Sequence, residues 1–140
     1  MDQSTGGHVH AFLLDDGEDL TLIDTLFDTD AGRVLDRISA IGKSVQDLKH
    51  IVLTHAHRSH LGGLATLKDL SGATVYSHAW EADIVAGERV AQPISPVPMR
   101  PLRTYWRVYY LQRGAALGRG KHPPCPVDAT PGHTSGHLAL

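Results

Sequence analysis

At 140 residues with 41% hydrophobic side chains, the chain has the material for one folded domain over residues 1–140 and one core. Its formal charge of −2 marks neither a strongly basic nor a strongly acidic binding protein, although residues 1–99 carry 7 basic and 14 acidic side chains and residues 100–140 carry 6 and 1. No run approaches the ~18 apolar residues of a membrane span, Met1-Asp2-Gln3-Ser4-Thr5-Gly6-Gly7 lacks signal-peptide character, and the single cysteine, Cys125, allows no internal disulfide, so a cytoplasmic protein with no membrane partner is expected.

Residues 8–14 and 20–24 read as two strands around Asp15-Asp16-Gly17-Glu18, a hairpin. Between residues 30 and 41, Val34, Leu35, Ile38 and Ile41 fall on one helical face, with Thr29 or Asp30 as cap and Gly42 as terminator. Ser44-Val45-Gln46-Asp47 opens a second, short helix. Ile51-Val52-Leu53 suits a buried strand and runs into a loop, Thr54-His55-Ala56-His57-Arg58-Ser59-His60. Leu61, Leu64, Leu67 and Leu70 carry a helix to Gly72, and Ala73-Thr74-Val75-Tyr76-Ser77 is strand-like. A short helix is expected over residues 79–85, and four prolines in residues 93–101 mark an irregular connection. Residues 103–117, rich in aromatics, are predicted as a helix that Lys121 to Pro126 breaks. Val127-Asp128-Ala129-Thr130 is a further strand before Pro131-Gly132-His133-Thr134-Ser135-Gly136-His137, and Leu138-Ala139-Leu140 begins another.

The histidines carry the chemistry. His55 and His57 alternate in an extended segment, so both side chains can face one side, and His60 follows in the same loop. His133 stands beside a glycine after a later strand, where the backbone can turn tightly. Neutral imidazoles bind zinc without quenching its Lewis acidity, and a catalytic zinc takes three protein ligands and keeps one position open. His55, His57 and His133 could be those three, leaving water in the fourth position with its pKa lowered to roughly 7, which is the chemistry of hydrolysis. A lone loop histidine is most often merely solvated, but three within six positions after an apolar strand form a ligand pattern.

In these motifs the sequence resembles the metallo-β-lactamase superfamily, whose signature is His-x-His-x-Asp-His after a strand and a later Pro-Gly-His-Thr-x-Gly-His. Here these read His55-Ala56-His57-Arg58-Ser59-His60 and Pro131-Gly132-His133-Thr134-Ser135-Gly136-His137. Leu22-Ile23-Asp24-Thr25, Thr54 and Gly62-Gly63 also fit. The resemblance implies an α/β (α+β) fold, a four-layer α/β/β/α sandwich with the metal site at one edge of its two sheets, and here incomplete in its second half. It places His55, His57 and His133 on a first metal and His60 at a second. Ser59 stands where the second metal's aspartate belongs, and the sequence stops before that metal's two remaining ligands. A serine hydroxyl cannot replace a carboxylate, so one zinc per chain is expected, with Ser59 or Asp24 hydrogen-bonding water and His137 in a supporting or structural position. Asp24 equally suits a structural cap.

The implied activity is zinc-dependent hydrolysis of an ester, thioester, lactone or amide in a small-molecule substrate. Arg58, in a variable motif position, points to the site mouth and either meets substrate or is solvated. The basic side chains from Arg100 to Lys121 either bind an anionic group or form a solvated face, the second being favoured. A truncated fold leaves an open sheet edge, which predicts a homodimer that covers it. The alternative is a catalytically impaired metal-binding or assembly protein. Nucleic-acid processing is disfavoured, because the chain is slightly acidic and lacks any aromatic-basic module.

Overall fold

The computed structural model describes residues 8–90 and Leu138 with their side chains, and the strand backbone at 2–4, 108–111, 116–117, 125–126, 128–129 and 139. The basic side chains from Arg100 to Lys121, together with His133 and His137, lie outside the described side chains.

The hairpin is present. After β1 (Asp2–Ser4) and β2 (His8–His10), which pair antiparallel, the chain runs through β3 (Phe12–Asp15) into β4 (Leu20–Ile23) in the register Phe12↔Ile23 to Asp15↔Leu20. Asp16 Oδ1 accepts the N–H groups of Glu18 and Asp19, and Gly17 takes φ 96°, the left-handed region that glycine adopts without steric cost. Helix α1 (Gly32–Ala40) buries Val34 and Ile38 and ends at Gly42, φ 75°. Its cap differs from expectation. The capping position is Ala31 at φ 56°, with no side-chain cap, while the Asp30 carboxylate accepts the Gly32 N–H at 3.1 Å. Ser44 and Asp47 form a reciprocal capping box around a 3-10 turn, Val45–Asp47, which delivers β5 (Leu48–Val52).

Part of the histidine loop is helical, since Arg58–Leu61 forms α2. Then α3 (Leu64–Ser71) buries Leu64 and Leu67 but leaves Leu70 exposed, because leucines three apart drift round a 3.6-residue turn. Next come β6 (Thr74–His78), a 3-10 turn at Ala79–Glu81 and α4 (Ala82–Val85). The helix expected over residues 103–117 is corrected in its described part, where Val108–Leu111 is strand β7, parallel to β6 from Val75↔Val108 to His78↔Leu111. A β-branched and aromatic Val-Tyr-Tyr-Leu run suits a pleated sheet better than a helix. Short strands β8 (Ala116–Leu117) and β9 (Cys125–Pro126) pair with each other, as do β10 (Asp128–Ala129) and β11 (Leu138–Ala139).

The main sheet has the order β3-β4-β5-β6-β7, antiparallel at β3/β4 and parallel thereafter. Leu20, Leu22, Ile51 and Val75 from its strands join Val34, Ile38, Leu64 and Leu67 from α1 and α3 in one buried cluster. This is the mixed α/β class expected. Because β4, β5 and β6 are parallel, their carboxyl ends open on one sheet edge, where ligand sites of α/β sheets form. Among the described residues no helix is long and apolar enough to cross a membrane.

Candidate metal centre

Three neighbouring parallel strands each release a polar side chain at that edge: Asp24 follows β4, His55 and His57 follow β5, and Glu81 follows β6. The ladder continues past the strand ends, with Asp24 N–H donating to Val52 O at 2.8 Å and Leu53 N–H to Tyr76 O at 2.9 Å, so the following residues leave from fixed backbone.

Asp24 organises the site. It is 4% exposed and adopts φ 58°, a conformation that aspartate tolerates better than most residues. Its Oδ1 accepts the Thr54 N–H at 2.8 Å, while Oδ2 accepts the Thr54 hydroxyl at 2.7 Å and His60 Nδ1 at 2.7 Å. Three donors compensate the loss of water around a buried carboxylate. The network also sets ring tautomers. A carboxylate only accepts, so His60 carries its proton on Nδ1. Thr54 commits its single hydroxyl proton to Asp24, so at the 3.0 Å contact with His55 the ring Nδ1 must be the donor. In the neutral form of each ring, Nε2 is then the lone-pair nitrogen.

The rings are close. His55 and His57 lie edge-on, 4.8 Å between centroids at 87°, and His55 and His60 lie 4.0 Å apart at 49°. Imidazoles bound to one tetrahedral zinc at ~2.0–2.1 Å place their ring centres ~5 Å apart, which His55 and His57 match and the tighter His55–His60 pair does not. Both residues of the matching pair are buried. Among the described residues no group of three His, Cys, Asp or Glu is arranged to hold a metal. The donor chemistry fits an ion that takes two of its imidazoles from His55 and His57 and its third from elsewhere in the chain. His133 belongs to residues 130–137, outside the described residues, but both ends of that segment are placed. Ala129 and Leu138 are paired across β10 and β11, and Leu138 N–H donates to the carbonyl of Thr54, next to His55, at 2.9 Å.

The turn behind the histidines is held by the segment after Asp24. Thr25 N–H and hydroxyl both donate to His60 O, at 2.8 and 2.9 Å, and Gly62 N–H donates to Leu26 O at 2.8 Å. A side chain at Gly62 would place its Cβ 2.2 Å from Phe27 O, so only glycine admits this approach. Ser59 is half-buried in α2. Arg58 is exposed, but its guanidinium lies 4.7 Å from the centre of the Phe27 ring, a cation–π contact rather than a fully solvated chain. Glu81, which the sequence reading did not single out, is 4% exposed and accepts the Ala56 N–H at 3.2 Å. A lone glutamate in a short turn carries no motif, and only the strand order brings it to the histidines.

The sequence model of the metallo-β-lactamase superfamily matches residues 4–140. The chain belongs to that superfamily. It is 27% identical over 130 residues to a probable metallo-hydrolase, YybB, of Bacillus subtilis (strain 168), covering 93% of this chain and 54% of that protein. It is also 32% identical over 110 residues to a hydroxyacylglutathione hydrolase of Methylococcus capsulatus (strain ATCC 33009 / NCIMB 11132 / Bath), covering 79% and 34% respectively. Among solved structures, the metallo-β-lactamase SMB-1 in complex with mercaptoacetic acid superposes with a TM-score of 0.79 at 30% identity, over 91% of this chain and 49% of that one. The MIM-2 metallo-β-lactamase gives 0.78 at 33% identity, over 91% and 48%. The chain thus spans about half the length of the curated relatives just named or less. Metallo-β-lactamase-fold proteins are metal-dependent, usually through zinc.

Proposed function

We propose that the chain carries the zinc site of a metallo-β-lactamase-fold hydrolase, with His55, His57 and His133 binding one zinc ion per chain. The observation that carries this reading is the pairing of the buried His55 and His57 rings, 4.8 Å between centroids, with His55 Nδ1 held by Thr54 and, through it, by Asp24. Metal-ligating histidines characteristically donate their other ring nitrogen in this way. When bound, zinc supplies Lewis acidity, which makes water acidic enough to act as a nucleophile near neutral pH and polarises a carbonyl.

The chain's own residues take the remaining roles. Asp24 positions the rings and does not touch substrate. Ser59, in place of the motif aspartate, holds water through its hydroxyl but brings no charge, which favours one ion over two. His60 then stays outside the zinc set, held by Asp24. Arg58, steadied by Phe27, binds an anionic group of the substrate, and His137 supports the site without ligating. The substrate is a small molecule with an ester, thioester, lactone or amide bond. Self-association belongs to the same reading, since among the described residues β3 is the outer strand of the main sheet and leaves Phe12 58% and Leu14 46% exposed.

Ser59 also favours a second reading, a metal-binding or assembly protein without turnover. A panel of ester, thioester, lactone and β-lactam substrates decides between them, run on zinc-loaded protein, chelator-treated protein and His55→Ala. Turnover that needs zinc and His55 supports the hydrolase. Zinc binding without turnover on any class leaves the second reading.

A further inference from the structure

We propose that Glu81 is a positioning residue for the histidine pair, its carboxylate clamping the peptide between His55 and His57 so that both rings reach one ion. The inference rests on the zinc reading above and adds a residue outside both histidine motifs.

Ala56 is fully buried and stands between the two histidines, and its N–H is met by Glu81 Oε2 at 3.2 Å. The Ala56 N–H belongs to the peptide that follows His55 and precedes the step to His57, so a hydrogen bond there restrains the backbone from which both imidazoles leave. Burying a carboxylate is unfavourable unless donors meet it, so its retention 4% exposed in a turn that leaves Trp80 65% exposed is informative. The local fold explains the inward aim. His78 Nδ1 accepts the Trp80 N–H at 3.1 Å and caps the 3-10 turn Ala79–Glu81, which directs Trp80 outward and Glu81 toward the end of β5. Asp24 holds the pair from the β4 side, through Thr54 and His55, and Glu81 holds it from the β6 side, through Ala56. The ligand loop is thus gripped from both neighbouring strands.

Three variants test this in the full chain: Glu81→Gln, which keeps an acceptor, Glu81→Met, which removes it at similar volume, and Glu81→Asp, which keeps the charge but withdraws it by one methylene. Zinc affinity by chelator competition, the visible spectrum of the cobalt-substituted protein and hydrogen exchange at the Ala56 amide of metal-free protein are the readouts. Glu81→Gln is expected to stay near wild type on all three, whereas Glu81→Met and Glu81→Asp lose zinc affinity about 10–100-fold, change the cobalt spectrum and speed Ala56 exchange. If Glu81→Met fails to fold, Glu81→Asp carries the test. Wild-type affinity and spectrum in a folded Glu81→Met or Glu81→Asp overturn the inference, as does an equal loss in Glu81→Gln, which would assign the effect to charge. A wild type that takes up no zinc overturns the metal reading instead, while Ala56 exchange still reports whether the clamp exists.

Discussion

Asp24 Oδ2 and His60 Nδ1 meet at 2.7 Å, and the same oxygen takes the Thr54 hydroxyl that His55 Nδ1 contacts. One buried carboxylate atom therefore orients two imidazoles, His60 directly and His55 through Thr54. Asp24→Asn keeps the shape but turns an amide N–H₂ toward at least one of the three donors. It is expected to lower the stability of the metal-free protein by about 1–3 kcal/mol, from the unsatisfied donor, and zinc affinity about 10–100-fold. Urea denaturation and chelator competition check the two effects, and unchanged zinc affinity would remove Asp24 from the site.

Gly62 and Gly42 separate close approach from backbone conformation. A Cβ on Gly62 meets Phe27 O at 2.2 Å and Leu26 O at 2.7 Å, both backbone atoms that no side-chain rotation relieves. A Cβ on Gly42 meets nothing within 4 Å, so only its φ of 75° opposes substitution. Gly62→Ala is expected to cost about 3 kcal/mol or more and to weaken metal binding by displacing α2, while Gly42→Ala costs about 1 kcal/mol and leaves metal binding intact. Parallel denaturation curves and zinc titrations check both. Equal costs would contradict the close packing of residues 25–28 on Gly62 and Gly63.

Arg58 and Phe27 give a kinetic expectation. If Arg58 binds an anionic substrate group, Arg58→Ala raises KM for substrates bearing a carboxylate while leaving KM for neutral analogues nearly unchanged. Phe27→Leu, which loosens the guanidinium, has a smaller effect of the same kind, about 2–5-fold in KM, as loss of an exposed cation–π contact allows. Steady-state kinetics on matched charged and neutral substrates check this. Equal changes for both would make Arg58 a purely structural surface residue.

Much of this was legible in the sequence because local patterns carried it. The Asp-Gly turn between two apolar runs pointed to the hairpin, the Val34 and Ile38 spacing to α1, and Ser44 to Asp47 to a short helix that is formed as a 3-10 turn. The His55 and His57 alternation pointed both side chains to one side, and their ring centres lie 4.8 Å apart. What was missed depends on tertiary placement. The αL cap at Ala31 is accompanied by Gly63, whose Cβ position would lie 2.9 Å from Ala31 Cβ, a contact no propensity foretells. Val108–Leu111 lay in an aromatic tract without a clear period, and its parallel pairing with β6 decides for a strand. Glu81 gains meaning only because β5 and β6 are neighbours. The roles of His133 and His137, outside the described residues, rest on the sequence motif.

The most direct measurement is zinc per chain, determined on untagged protein purified without added metal, for wild type, His55→Ala and His133→Ala, with folding of each checked by circular dichroism. About one zinc in the wild type, falling well below that in both folded variants, is the expected result. No zinc in the wild type even after incubation with excess metal, or full occupancy in a folded His133→Ala, would contradict the three-histidine site.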